Sequence, residues 1–244
     1  YNCEHSIFKS IGYTLRNVYA RWTKAYLKNV DMFACITEFQ KKKLIETGYD
    51  KNKITVIPNS IDAPCSYTLT TGGYIAYIGR LSYEKGYDLL VEVARKHPEI
   101  KFRFAGAQRE QKNTDIPSNV EFAGYLQKDK LLEFIQKARF IVIPSRCYEG
   151  FPMAILEAAC HGKPAIAPNH GGFTEIIGQG ENAIGKLFEP GNTDDLDKQI
   201  AELWNNQTLT EELGEKAFRK LKKHYDSEVV YKQWETLFSK LKNS

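Results

Sequence analysis

From Tyr74 onward, apolar runs of strand length alternate with stretches of helix length, and few folds accommodate that pattern. The strand-like runs fall at 74–78, 101–105, 120–122, 140–143 and 164–167, and helical stretches occupy 86–96, 129–137 and 152–161 in the gaps. Such alternation predicts an α/β, Rossmann-like parallel sheet with helices on both faces. The run Phe140-Ile141-Val142-Ile143 contains no polar residue, which suits a strand covered on both sides. Further helices are expected near 194–204, 210–224 and 227–241.

Upstream, residues 10–28 read as one helix, with Ile11, Leu15, Val18, Trp22 and Tyr26 on a single stripe. A strand at 32–36, a helix at 38–47 ended by Gly48, and a strand at 54–57 stopped by Pro58-Asn59 follow. The segment 63–73 carries Pro64 and the Gly72-Gly73 pair and reads as a connector between two bodies. The expected organisation is therefore residues 1–62, a larger domain at 63–225, and a C-terminal helix at 226–244 that packs back toward the front. A chain of 244 residues can bury a sizeable core in this arrangement.

No apolar run approaches the roughly 18 residues of a membrane-spanning helix. The net charge is +4, with basic residues clustered at Lys41, Lys42 and Lys43 and at Lys216, Arg219, Lys220, Lys222 and Lys223. Such clusters are ordinarily solvated helix faces. The alternative is an anionic partner, a membrane surface or lipid phosphate ahead of nucleic acid. The five cysteines, at 3, 35, 65, 147 and 160, form no Cys-x-x-Cys pair, so neither a disulfide framework nor a zinc site is indicated and a reducing cytosol fits best. The chain opens Tyr-Asn-Cys-Glu-His, without a signal peptide or an initiator Met, and is expected to be trimmed at its front.

In open parallel sheets ligands bind beyond the carboxyl ends of the strands, so the loops there are where chemistry is sought. After the first run comes Gly79-Arg80-Leu81-Ser82-Tyr83-Glu84-Lys85-Gly86. A guanidinium fork at Arg80 beside an ammonium at Lys85 makes a clamp for a diphosphate, or plain surface charge. The loop after Ile143 carries Glu149-Gly150-Phe151-Pro152-Met153-Ala154-Ile155-Leu156-Glu157. Pro152 suits the first helical position, which would leave the N–H groups of Met153, Ala154 and Ile155 free to face an anion. Glu157 lies in the second turn of an otherwise apolar helix and needs a partner. The adjacent hydroxyls of a ribose are one such partner. Glu149 precedes it by eight positions, about 12 Å if the stretch were helical throughout. The two carboxylates of a glycoside hydrolase stand about 5–9 Å apart, so the longer spacing matches the two ends of a sugar nucleotide instead. In the loop Pro168-Asn169-His170-Gly171-Gly172-Phe173-Thr174-Glu175, the glycine pair permits either close approach of a ligand or a turn into a short helix.

In their order and spacing, Gly79-Arg80 with Lys85-Gly86, Glu149-Gly150-Phe151-Pro152 with Glu157-Ala158, and Gly171-Gly172 with Glu175 resemble glycosyltransferase family 4. Ile57-Pro58-Asn59-Ser60-Ile61-Asp62 looks like that family's interdomain connector. The resemblance implies a GT-B fold, a retaining transferase in which two Rossmann-like domains face across a cleft and the C-terminal one holds a nucleoside-diphosphate sugar. It assigns Arg80 and Lys85 to the departing diphosphate, Glu149 to the transferred sugar and Glu157 to the ribose. Backbone at Gly150, Phe151, Pro152, Met153 and Ala154 would hold sugar and phosphate, with Gly79 in the same loop as the basic pair. Gly106 and the Gly124-Tyr125-Leu126 turn would frame the base. The family's leaving-group work is done by positive side chains, so no metal and no cofactor are expected. Residues 1–62 then look like the last part of an N-terminal acceptor domain. The acceptor implied is a glycan or a lipid-linked molecule in polysaccharide biosynthesis, with a cytoplasmic location and a peripheral stand on the membrane.

Three other readings compete. A Rossmann dehydrogenase predicts Gly-x-Gly-x-x-Gly with an acidic residue about 20 positions on, which neither glycine-bearing loop supplies. A GT-B epimerase or phosphorylase shares the sheet, but the 149–157 stretch favours transfer. A non-catalytic sugar-nucleotide-binding module stays open.

Overall fold

The computed structural model describes residues 7–107 and 115–242. The upstream part consists of α1 (Ile7–Thr23), α2 (Ala25–Asn29), β1 (Phe33–Cys35), α3 (Glu38–Glu46) and β2 (Ile54–Val56). The one helix expected at 10–28 is two, because Lys24 adopts a left-handed backbone with φ 52° and ψ 30°. L-residues tolerate that conformation singly but cannot propagate a right-handed helix through it. The stripe is not a core face of the described residues. Trp22 is 82% exposed, and Ile11, Leu15 and Val18 are exposed with it, while the side chain of Tyr26 lies outside the description. β1 and β2 pair in parallel, Phe33 opposite Ile54 and Cys35 opposite Val56.

The larger body follows as β3 (Ile75–Ile78), α4 (Tyr87–Lys96), β4 (Phe102–Ala105), β5 (Val120–Gly124), α5 (Asp129–Gln136), β6 (Phe140–Val142), α6 (Met153–Ala159), β7 (Ala165–Pro168), α7 (Gly171–Ile177), β8 (Gly185–Phe188), α8 (Thr193–Asn205), α9 (Gln207–His224) and α10 (Ser227–Lys242). Six strands form one sheet in the order β5-β4-β3-β6-β7-β8, every pairing parallel. Five were expected in this body. The sixth, β8, is an edge strand whose Gly185-Lys186-Leu187-Phe188 lacks an apolar run. It is specified by close approach instead: a Cβ on Gly185 would stand 2.1 Å from the carbonyl oxygen of Ala165.

The strands alternate their side chains between two cores, as a pleat of period two requires. Ala76, Ile141, Ala165 and Ala167 join the core with α5, α6 and α7. Ile75, Tyr77, Phe140, Val142 and Ile166 join the one with α4 and α8. A sheet buried on both faces leaves its strand ends as the place where polar chemistry can meet solvent.

The connector is strapped down. Lys163, only 3% exposed, donates through Nζ to the carbonyl oxygen and hydroxyl of Thr70 at 2.6 and 2.8 Å, and that hydroxyl donates to Gln136 O at 2.6 Å. Burial pushes the Lys163 ammonium down to about 8 from an ordinary 10.5. Between those values the unfolded chain holds a proton that the folded chain has shed, so this residue makes stability rise with pH across the window. Lys163→Met should abolish that rise. Urea unfolding of both proteins from about pH 7 to about pH 10 checks it, and parallel pH profiles would disprove it.

The front and the C-terminal helix meet at the connector. Ile61 N donates to Tyr225 O at 3.0 Å and Ser227 N to Ile61 O at 3.1 Å. Beyond that clamp, α10 and residues 57–60 enclose a groove of 870 Å³ whose lining includes Ile36, Ile57, Met153, Val230 and Trp234.

Half of the clustered basic residues are locally paired: Lys41 with Glu38, Lys43 with Glu46, Arg219 with Glu215 and Lys222 with Asp226. Cys35 and Cys160 are buried thiols, Cys65 and Cys147 exposed ones, and Cys3 lies outside the described residues. Among the described residues no helix is long and apolar enough to cross a membrane.

Candidate functional site

β3 is the point at which strand order reverses, with β4 on one side and β6 on the other. Connections leaving such a pair run in opposite directions and open a crevice beyond the carboxyl ends. The loops 79–86 and 143–152 leave the adjacent strands β3 and β6, so the two charged loops lie side by side at one end of the sheet.

The two loops are joined tightly. Gly86 sits at φ +69°, and a Cβ there would stand 1.8 Å from Pro144 O, so only glycine fits. Arg146 completes the joint with bonds of 2.7 and 2.8 Å to the Asp88 carboxylate and 2.7 Å to Tyr83 O, its guanidinium lying over the Tyr83 ring. Sequence reasoning missed Arg146, because its partner lies 58 positions away and no periodicity links them. Arg146→Ala would leave a largely sheltered Asp88 without its fork, and a loss of about 2 kcal/mol in urea unfolding is expected. An unchanged midpoint would show the brace to be ornamental.

That brace sets Lys85 against Glu149. Lys85 Nζ donates to Glu149 Oε1 at 2.7 Å, with the two side chains 24% and 19% exposed. Arg80 is more open and stands 3.7 Å from Glu84. Its carbonyl accepts from the buried Tyr77 hydroxyl at 2.6 Å. Burial holds that phenol protonated far above its ordinary value, so it acts as a fixed donor to the loop carrying the basic residues.

On the far side, Gly172 N donates to Glu149 O at 3.1 Å. A Cβ on Gly172 would stand 2.4 Å from Gly150 O, and Gly171 has φ +58°. Protein packing thus accounts for the glycine pair: it lets α7 seat directly on the loop bearing Glu149. His170 is wedged between the rings of Tyr148 and Phe173, its Nε2 buried without a partner, and desolvation pushes its pKa down.

The start of α6 differs from expectation by one residue. Pro152 is the N-cap with φ −75° and ψ 97°, so the helix begins at Met153. Ile155 N already donates to Pro152 O at 3.1 Å. Proline has no N–H, and the donors left at this terminus are those of Met153 and Ala154. The Phe151 side chain belongs to the core, edge-on to the Tyr225 ring. One face of α6 is buried through Ile155, Leu156, Ala158 and Ala159. Glu157 stands half-buried on the same short helix, and no described residue bonds or pairs with it. Desolvation raises its pKa, as expected for a carboxylate lacking a partner.

Gly79 and Gly106 follow β3 and β4, and Gly124 ends β5, at the same sheet end. A Cβ on Gly106 would stand 1.7 Å from Gly79 O. Beside them Tyr125 is exposed, whereas Leu126 packs against the core. The β4 and β5 end thus carries glycines and an exposed tyrosine, and the charged groups stand at the switch point.

A six-stranded parallel sheet covered by helices on both faces, with the charged loops at its switch point, defines a Rossmann-like α/β body. The chain belongs to the glycosyl transferases group 1: that family's model matches residues 68–220, and the Glycosyltransferase Family 4 model matches residues 3–63. That family and its GT-B fold are what the motifs led one to expect. An uncharacterised glycosyltransferase of Methanocaldococcus jannaschii is 32% identical over 193 residues, 77% of this chain and 53% of that protein. An uncharacterised protein of the cps region of Klebsiella pneumoniae is 35% identical over 157 residues, covering 61% of this chain and 41% of its own length. The chain thus spans about half the length of these relatives. In three dimensions it is similar to Anabaena HepE solved in complex with UDP, with a TM-score of 0.76 at 18% identity over 86% of this chain and 64% of that one. It is also similar to the glycosyltransferase of Rickettsia africae, with a TM-score of 0.78 at 21% identity over 92% of this chain and 68% of that one.

Proposed function

We propose that this chain is the donor-binding half of a retaining glycosyltransferase that moves a hexose-type sugar from a nucleoside diphosphate to a glycan or lipid-linked acceptor. The observation that carries this reading is the Lys85–Glu149 pair, 2.7 Å apart at the switch point. It sets a phosphate partner beside a hydroxyl acceptor, and the diphosphate-to-sugar bond is the one place on a sugar nucleotide where those needs adjoin.

In the proposed chemistry the bond from the sugar's anomeric carbon to the diphosphate oxygen breaks and its electron pair leaves with the nucleoside diphosphate, while an acceptor hydroxyl oxygen bonds to that carbon and its proton passes to the departing phosphate. Lys85 and Arg80 stabilise the charge that develops there, a task that positive side chains perform without a metal. The Met153 and Ala154 amides, at the start of α6, add donors. Glu149 accepts from sugar hydroxyls. Glu157, half-buried and without a partner, accepts from the two ribose hydroxyls. Gly106, Tyr125 and Leu126 form the side on which the base lies.

The neighbouring folds solved with UDP and with UDP-glucose make uridine the first base to test. Calorimetric titration with UDP, GDP, ADP and NAD should show saturable binding of a nucleoside diphosphate and none of NAD. Preference for NAD would overturn the reading. The chain spans about half the length of its matched relatives, so on its own it is expected to bind donor and transfer little sugar. Robust turnover by the 244-residue chain would contradict that. Donor binding without transfer by the enzyme completed at its front would instead favour a non-catalytic module.

A further inference from the structure

We propose that Glu175 is a positioning residue for the sugar end of the site: it clasps helix α3 onto the loop that carries Glu149. The proposal rests on the donor-binding reading above and adds a residue to it.

The clasp is built from backbone donors at the front of α3. Glu38 N donates to Glu175 Oε1 and Phe39 N to Oε2, each at 3.1 Å. Gln40 N donates to the Thr37 hydroxyl at 3.3 Å, and Lys41 N to Thr37 O at 3.1 Å. The first turn of α3 is thereby fully satisfied, and half of it by a side chain 136 positions away. A carboxylate gripping two amides at a helix start gains both charge-assisted bonds and the favourable end of the helix dipole.

The helix so held presses on the Glu149 loop from the front. The Phe39 ring stacks on Tyr148 with centroids 5.6 Å apart. The Gln40 side chain lies against Gly150, where a Cβ would stand 2.4 Å from its Nε2. Gln40 is fixed in turn, its Oε1 accepting from Ile36 N at 3.1 Å. From behind, α7 itself holds the loop through Gly172 N and Glu149 O. The far end of α7 is pinned by Lys220 Nζ, 2.7 Å from Ile176 O. Tyr148, Glu149 and Gly150 are therefore held between two helices that Glu175 ties together. Lys85 and Arg80 lie outside this sandwich, on the loop braced by Arg146.

Loss of the clasp should accordingly loosen the sugar contact and spare the diphosphate contact. The experiment compares Glu175→Ala and Glu175→Gln with the parent 244-residue chain, titrating each with UDP and with UDP-glucose and following amide exchange. In Glu175→Ala, UDP affinity is expected to stay within about twofold while the added affinity from the glucose falls about tenfold. Exchange should quicken at Glu38 and Phe39 and across residues 147–151. Glu175→Gln retains shape and one acceptor oxygen and should recover part of both effects, which a general unfolding effect would not allow. Equal losses for UDP and UDP-glucose, or quickened exchange confined to α3, would overturn the clasp. A parent chain that binds neither ligand would instead sink the donor-binding reading, while exchange across 147–151 would still decide whether Glu175 holds that loop.

Discussion

Lys85→Ala is expected to weaken nucleoside-diphosphate binding by about 100-fold, the largest single effect on ground-state affinity. A hydrogen bond to a charged group contributes about 1.5–3 kcal/mol, and an ammonium between a diphosphate and a carboxylate makes more than one. Removing it has a second cost. The Glu149 carboxylate, only 19% exposed, loses its 2.7 Å partner and then faces an incoming anion with its charge unscreened. The loss should shrink as salt is raised, because long-range repulsion is screened while the missing direct bond is not. Calorimetry with UDP at low and high ionic strength reads both parts. Binding unchanged by Lys85→Ala would remove the diphosphate assignment.

Glu149→Ala should show the opposite division. With the carboxylate gone, Lys85 is freed of its 2.7 Å ion-pair partner and UDP should bind as well as before or slightly tighter. The sugar contact is what disappears. In an active enzyme that contains this chain, transfer should fall about 10²- to 10³-fold, the scale for removing one group that stabilises a developing transition state. The loss should appear in kcat as well as in kcat/KM, because the contact strengthens as the glycosidic bond breaks. A variant with full turnover would sink the assignment of Glu149, and loss of UDP binding in parallel would make it a structural residue of the pocket. Opposite responses of UDP affinity in the two variants would show that one ion pair, broken from either side, serves two ends of a ligand.

Much of the site was legible because its members are grouped by loop. Arg80 and Lys85 share one loop, Glu149 and Glu157 one loop and the helix that follows it, and strand alternation alone puts both loops at the carboxyl end of the sheet. What periodicity could not convey was which strands are neighbours. The order β5-β4-β3-β6-β7-β8 places the 79–86 and 143–152 loops side by side and thereby makes Lys85 and Glu149 a pair. Arg146, Tyr77 and Lys163 escaped notice for a related reason. Arg146 and Lys163 are charged, so nothing in a hydrophobic pattern marks them, while Tyr77 counts in that pattern only as a strand residue and its hydroxyl's role goes unmarked; each acts on a partner that only folding brings near or buries. The stripe of α1 shows the converse error: amphipathic spacing was read correctly, yet among the described residues it covers no core.

Sequence alone determined the local terms: the alternating elements, the parallel sheet they require, the loops that carry charge and the family whose motifs they match. These follow from interactions between residues a few positions apart, where spacing is geometry. Tertiary structure decided the rest: the sixth strand admitted by Gly185, the one-residue shift at Pro152, the glycine pair taken up by packing, and the reach of Glu175 to the front of α3. Those depend on close approach between segments far apart in the chain, and a linear pattern carries no distance for them.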